Sequence, residues 1–100
     1  MYLESRLNGA KRSISMRGNF GYDDHPKIRR MLSEIADAGP ECWEIRLDEL
    51  DYIDTAGIAM LLLIIEECEK SNARLRISTR DGFVRKVLEL AGLESRLDKP

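Results

Sequence analysis

Residues 58–65, Ile-Ala-Met-Leu-Leu-Leu-Ile-Ile, form the longest uninterrupted apolar run of the chain. A helix over Ala56 to about Ser71 is predicted here. Its first half is apolar nearly all round and is expected to be deeply buried; its second half, Glu66-Glu67-Cys68-Glu69-Lys70, is wet on most sides. The run is far shorter than the ~20 residues that cross a bilayer. Before it stands Tyr52-Ile53-Asp54-Thr55-Ala56-Gly57. An apolar pair, an acid and three small residues read as a loop that delivers the chain into a buried helix. A helix start carries unpaired N–H groups and partial positive charge, so it suits a phosphate or a docking partner, and small side chains there admit another surface.

On either side of this helix the pattern changes to a period of two. Trp43, Ile45 and Leu47 alternate with Glu44, Arg46 and Asp48, and Arg74 to Thr79 alternates with Leu75 and Ile77 inward. Strand, helix and strand make a crossover unit, so these two strands are expected to be parallel and linked right-handedly. Upstream, residues 2–7 and Arg12 to Arg17 read as two strands joined at the hairpin signal Asn8-Gly9, and Gly18-Asn19-Phe20-Gly21 breaks the pattern. Asp23-Asp24-His25-Pro26 opens a helix with acids that can cap and a proline suited to the first turn; Ile28, Met31, Leu32 and Ile35 follow at helical spacing until Gly39-Pro40. Asp81-Gly82 opens a last helix with Phe83, Val84, Val87, Leu88 and Ala91 as its stripe, closed by Gly92; Leu93 to Pro100 read as a short tail with room for one more turn. The expected fold is α/β: a small mixed four-stranded sheet, an N-terminal hairpin plus parallel crossover strands, packed with three to four helices. One hundred residues make one domain, 1–100.

Composition narrows the function. A formal net charge of −2 provides no global basic field for nucleic acid. Local clusters (Lys27, Arg29 and Arg30; Arg85 and Lys86) read as solvated helix faces. No basic stretch followed by an apolar segment opens the chain, so a soluble, cytoplasmic protein without direct membrane insertion is expected. Cys42 and Cys68 match no metal or redox spacing and are expected to be buried and reduced. With one histidine, no zinc site of Cys and His is available.

Catalytic chemistry is scarce. His25 beside Pro26 suits a capping or surface role. Asp48, Asp51 and Asp54 are read as one loop region that Asp23 and Asp24 approach. Acids so spaced are caps and turn formers first, with a three-acid magnesium site as the lesser reading. No glycine-rich phosphate loop is present. No catalytic residue, metal or cofactor is expected. In the structural reading of the corner itself, Asp54 or Thr55 caps the helix and Gly57 allows close packing.

Asp54-Thr55-Ala56-Gly57-Ile58 followed by Met60-Leu61-Leu62-Leu63 resembles the Asp-Ser-Ser-Gly-(Leu/Ile) signature of STAS domains, the anti-anti-sigma factors of bacterial partner-switching systems and their relatives. Val87-Leu88-Glu89-Leu90-Ala91-Gly92-Leu93 resembles the family's ending, and the resemblance covers roughly residues 2–97. It implies a non-enzymatic docking module, recognised by a serine kinase that is also anti-sigma-like and reset by a PP2C-type phosphatase. The implied contact surface is Asp54, Thr55, Ala56 and Gly57, with Asp23 and Asp24 from the neighbouring loop. The family's phosphoacceptor stands just before the signature glycine, where this chain has Ala56. Three accounts stand open: an engineered replacement of serine, a natural member without phosphate control, or Thr55 as the hydroxyl that matters. The resemblance also implies an alternative, because some members with Asp-Thr-(Gly/Ala)-Gly bind the ATPase of an ABC lipid transporter.

Overall fold

The computed structural model describes residues 1–37 and 39–99. Strands β1 (Tyr2–Asn8), β2 (Lys11–Phe20), β3 (Cys42–Ile53) and β4 (Arg74–Ser78) form one sheet in the order β1-β2-β3-β4. The first pair is antiparallel; β2–β3 and β3–β4 are parallel. Helix α1 (His25–Ala36) connects β2 to β3, α2 (Thr55–Lys70) connects β3 to β4, and α3 (Phe83–Leu90) follows β4. This is the expected mixed α/β architecture. Single 3₁₀ turns lie at Tyr22–Asp24 and Glu94–Arg96.

The helices share one face of the sheet. Ile14 and Met16 of β2, Trp43, Ile45 and Leu47 of β3, and Ile77 of β4 are buried beneath Ile28 and Ile35 of α1, Leu61 and Ile64 of α2, and Leu88 of α3. Alternation sends the intervening residues to the other face, which among the described residues carries no helix and is polar. There Glu44 is held between Lys11 Nζ at 3.2 Å and Arg46 Nε at 2.7 Å, and the Arg17 guanidinium stacks over the Tyr2 ring.

Several boundaries differ from the expectation. The hairpin turn is Gly9-Ala10, one residue later than Asn8-Gly9, because Asn8 pairs with Lys11 as the last rung of the ladder. Gly9 has a φ of +63°, and positive φ at the first turn residue suits the right-handed twist of the strands it joins. β2 continues through Gly18 to Phe20 and β3 through Asp48 to Ile53. Two register shifts keep them paired over that distance, between Ser15 and Arg17 and between Gly18 and Asn19. Asp48 and Asp51 are therefore strand residues, not part of a loop. Cys42 is only half-buried, whereas Cys68 is buried, and both thiols are free.

The tail is tied back along β4. Leu97 pairs with Ile77, and Asp98 N–H donates to the Ile77 carbonyl at 2.8 Å. The buried Arg85 of α3 fixes this segment, its Nη1 donating to Thr79 Oγ1 at 2.9 Å and to the Asp98 carbonyl at 2.8 Å.

Candidate functional site

The corner between β3 and α2 is built from its backbone outward. Asp54 has extended φ and ψ and stands as the N-cap of α2, its Oδ1 accepting from Gly57 N–H at 2.8 Å. This answers one of the orphan donors of the first turn. Asp54, not Thr55, is thus the cap. Asp54 N–H donates to the Phe20 carbonyl at 3.2 Å, which continues the β2–β3 pairing to the mouth of the helix.

Gly57 and Gly21 let three segments meet there. A Cβ on Gly57 would lie 2.6 Å from the Phe20 carbonyl oxygen and 2.8 Å from Ile53 Cγ1. One on Gly21 would lie 2.7 Å from Asp54 Oδ2. The end of β2 therefore passes directly over the first turn of α2, and the turn at Tyr22–Asp24 sits beside it.

Asp24 faces inward. Its Oδ2 accepts from Gly21 N–H at 2.9 Å and its Oδ1 from the chain's N-terminal amine at 3.1 Å, with Lys27 Nζ at 3.5 Å. Burial works against its charged form, but the Gly21 N–H, the N-terminal amine and Lys27 outweigh it and hold the carboxyl below its ordinary value. Asp24 stands at the N-cap position of α1 as expected, but its side chain makes no cap bond there: the carboxylate is buried and turned to Gly21 and the N-terminal amine, where it shapes the rim. Asp23 is exposed beside it, and so are Tyr22 and His25.

Thr55 is exposed and Ala56 is half-buried against the core. The apolar run that follows is not buried all round. Met60, Leu61, Ile64 and Ile65 face the core, while Ala59 is exposed and Leu62 and Leu63 keep 41% and 45% of their surface in solvent. Helical spacing puts Thr55, Ala59, Leu62 and Leu63 along one open flank of α2. An unbroken apolar run has no internal period, so it could not indicate which of its leucines face out. On the far side of the corner, Tyr52 and Phe83 stack with ring centroids 5.5 Å apart, and both are exposed.

The three acids of the lesser reading go separate ways. Asp48 accepts from Ser78 Oγ at 3.3 Å, Asp51 lies 3.9 Å from Arg80, and Asp54 caps α2. Among the described residues no group of three or more His, Cys, Asp or Glu side chains converges on a point where a metal ion would sit. Nor is any helix among them long and apolar enough to cross a membrane. The corner is a slim surface at a helix start, neutral over Thr55 to Gly57 with Asp54 turned in as the cap, and rimmed by exposed Asp23 and by apolar side chains.

The sequence family described as "Mlab, STAS domain" matches residues 3–98. A STAS-domain containing protein of Pseudomonas aeruginosa (strain UCBPP-PA14) is 25% identical over 87 residues, which span 87% of this chain and 85% of that protein. Among solved structures, an anti-sigma factor antagonist from Mycobacterium paratuberculosis superimposes with a TM-score of 0.82 at 16% identity, over 99% of this chain and 86% of that one. The phosphorylated form of the Bacillus cell fate determinant SpoIIAA superimposes with a TM-score of 0.80 at 18% identity, over 99% and 91%. At these identities the structural matches establish the fold.

Proposed function

Because this chain belongs to the STAS domain family, we propose that it is a non-enzymatic docking module whose contact surface is the corner Asp54–Gly57 with the open flank of α2. The observation that carries this reading is the pairing of a neutral helix mouth, Thr55 and Ala56, with exposed Ala59, Leu62 and Leu63 on the same helix. Apolar side chains clustered beside a backbone that admits close approach are what a protein interface uses at its centre. The partner in this reading is a serine kinase of the anti-sigma-like kind, with a PP2C-type phosphatase as its counterpart. Residue 56, the family's phosphoacceptor position, is alanine, so the chain stays in the binding-competent state. A phosphate there would bring about −1.5 to −2 charge into a surface that a partner must cover. Asp23 flanks the contact in this proposal, Thr55 lies within it, and Asp24 supports it from beneath.

A second reading, a subunit bound to the ATPase of an ABC lipid transporter, is favoured by the particular residues Asp54-Thr55-Ala56-Gly57, which offer an exposed threonine and no hydroxyl at 56. Affinity capture with the intact chain, followed by mass spectrometry, separates the two. Recovery of a GHKL-type kinase supports the partner switch, and recovery of an ABC ATPase supports the transporter subunit. In either case, capture that survives both Ala56→Glu and Leu62→Asp would overturn the placement of the surface.

A further inference from the structure

The two edges of the sheet are unlike. β4 is covered by the tail through Leu97 and Asp98. Among the described residues β1 pairs with β2 alone, over seven residues, Tyr-Leu-Glu-Ser-Arg-Leu-Asn, without a proline or a bulge. A strand left this way presents unused N–H and C=O groups to any chain that can pair with it.

Which groups are unused follows from the hairpin. Asn8 and Lys11 flank a two-residue turn, so they form a hydrogen-bonded pair, and such pairs alternate along an antiparallel ladder. Arg6 with Ser13, Glu4 with Ser15 and Tyr2 with Arg17 are then the other hydrogen-bonded pairs. Leu3, Ser5 and Leu7 therefore turn their N–H and C=O groups outward.

We propose that β1 is the interface for a second copy of this chain, paired antiparallel about a twofold axis at Ser5. In that register Ser5 meets Ser5 and Leu3 meets Leu7 of the second copy, and these are the residues whose ladder groups are free. Moving the axis by one residue keeps the free ladder groups opposed but sets Glu4 against Glu4, or Arg6 against Arg6, of the second copy. The side chains agree with the backbone. Glu4 falls opposite Arg6 of the second copy, and Arg6 opposite Glu4, in the close pairs where Cα atoms are about 4.5 Å apart. Within one chain these two are already 3.2 Å apart and largely solvated, so pairing completes a square of alternating charge on the polar face of the sheet. On the other face, Leu7 is 56% exposed. Pairing sets it beside Leu3 of the second copy, which with Met31 and Lys27 lines a shallow groove against α1. The strand is thus self-complementary in charge, in apolar contact and in backbone polarity, which is the condition for an isologous contact.

Sedimentation equilibrium of the full chain, from micromolar to submillimolar concentration, tests this. A monomer–dimer equilibrium is expected. Glu4→Arg and Arg6→Glu, each alone, set like charges against each other and are expected to raise the dimer Kd about tenfold or more, equivalent to about 1.4 kcal/mol. The double exchange Glu4→Arg with Arg6→Glu rebuilds the square in reverse and is expected to restore the dimer. Ser5→Pro removes an outward N–H and is expected to leave a folded monomer by circular dichroism. If that variant unfolds, the charge exchanges decide by themselves. A chain that stays monomeric at every concentration, single exchanges without effect, or a double exchange that fails to restore association would each overturn the proposal. A monomer that binds a foreign strand along β1 would do so too.

Discussion

Gly57 lies directly beneath Phe20: a side-chain carbon on the glycine would come within 2.6 Å of the Phe20 carbonyl oxygen. That oxygen belongs to the backbone and also accepts from Asp54 N–H, so it has little room to yield. Gly57→Ala is expected to destabilise the fold by about 1–3 kcal/mol, as overpacking of a tight interior does. For a domain of this size each kcal/mol corresponds to about 4–8 °C in Tm. A thermal melt checks it, and an unchanged Tm would mean that β2 and α2 can move apart.

Asp54 closes the same corner from the other side. Asp54→Ala removes the acceptor for Gly57 N–H and is expected to lose about 1 kcal/mol. Asp54→Asn keeps an acceptor oxygen at the cap and is expected to lose distinctly less. Urea unfolding of the two variants side by side measures the difference through the midpoint at constant m.

Acid should act through two carboxylates, Asp24 beneath the rim of the proposed contact and Glu44 on the polar face of the sheet. The Asp24 carboxyl is disfavoured by burial but held low by Gly21 N–H, the N-terminal amine and Lys27. That of Glu44 is held low first by its hydrogen bond with Arg46, against burial, and then by Lys11. Both bind protons less readily folded than unfolded. Their stabilisation is complete above the ordinary carboxylate value, about 4, and drains away as pH falls through their lower folded values. The variant Asp24→Asn with Glu44→Gln is expected to be less stable than the parent at neutral pH. Its stability is also expected to decline less steeply between about pH 5 and about pH 3. Unfolding free energies measured across that range check both.

Ala56 separates the contact from the fold. It is half-buried in the first turn of α2, where the helix dipole favours an anion. Ala56→Glu is expected to change Tm by no more than a few degrees (about 0.5 kcal/mol, the range of a tolerated surface change) while abolishing capture of the partner. Surface plasmon resonance with the captured protein reads the second effect. A large fall in Tm would instead assign the corner a structural role.

Much of this was legible along the chain. Trp43, Ile45 and Leu47 alternate in the sequence and are all buried, and Gly92, with φ +87°, stands where the last helix stops. The signature residues of the corner fall at a helix start, as their order implied. Other features were hidden for physical reasons. Asp48 to Tyr52 looked like a loop because acids there suggested turns, yet they belong to a strand whose outward side chains are polar and partly exposed. Leu62 and Leu63 could not be told from Leu61, since which side of a helix faces out is decided by the sheet it packs on. The approach of Gly21 to Asp54 joins residues 33 positions apart, and neither carries a local sign of the other.

The strap formed by Leu97 and Asp98 has a consequence for assembly. A sheet with two bare flanks can add copies without end, whereas here Leu97 and Asp98 occupy one flank beside Ile77. In the proposed pairing, growth through β1 uses up the remaining flank in a single step, so association would halt at a closed pair with no flank left from which a fibre could extend.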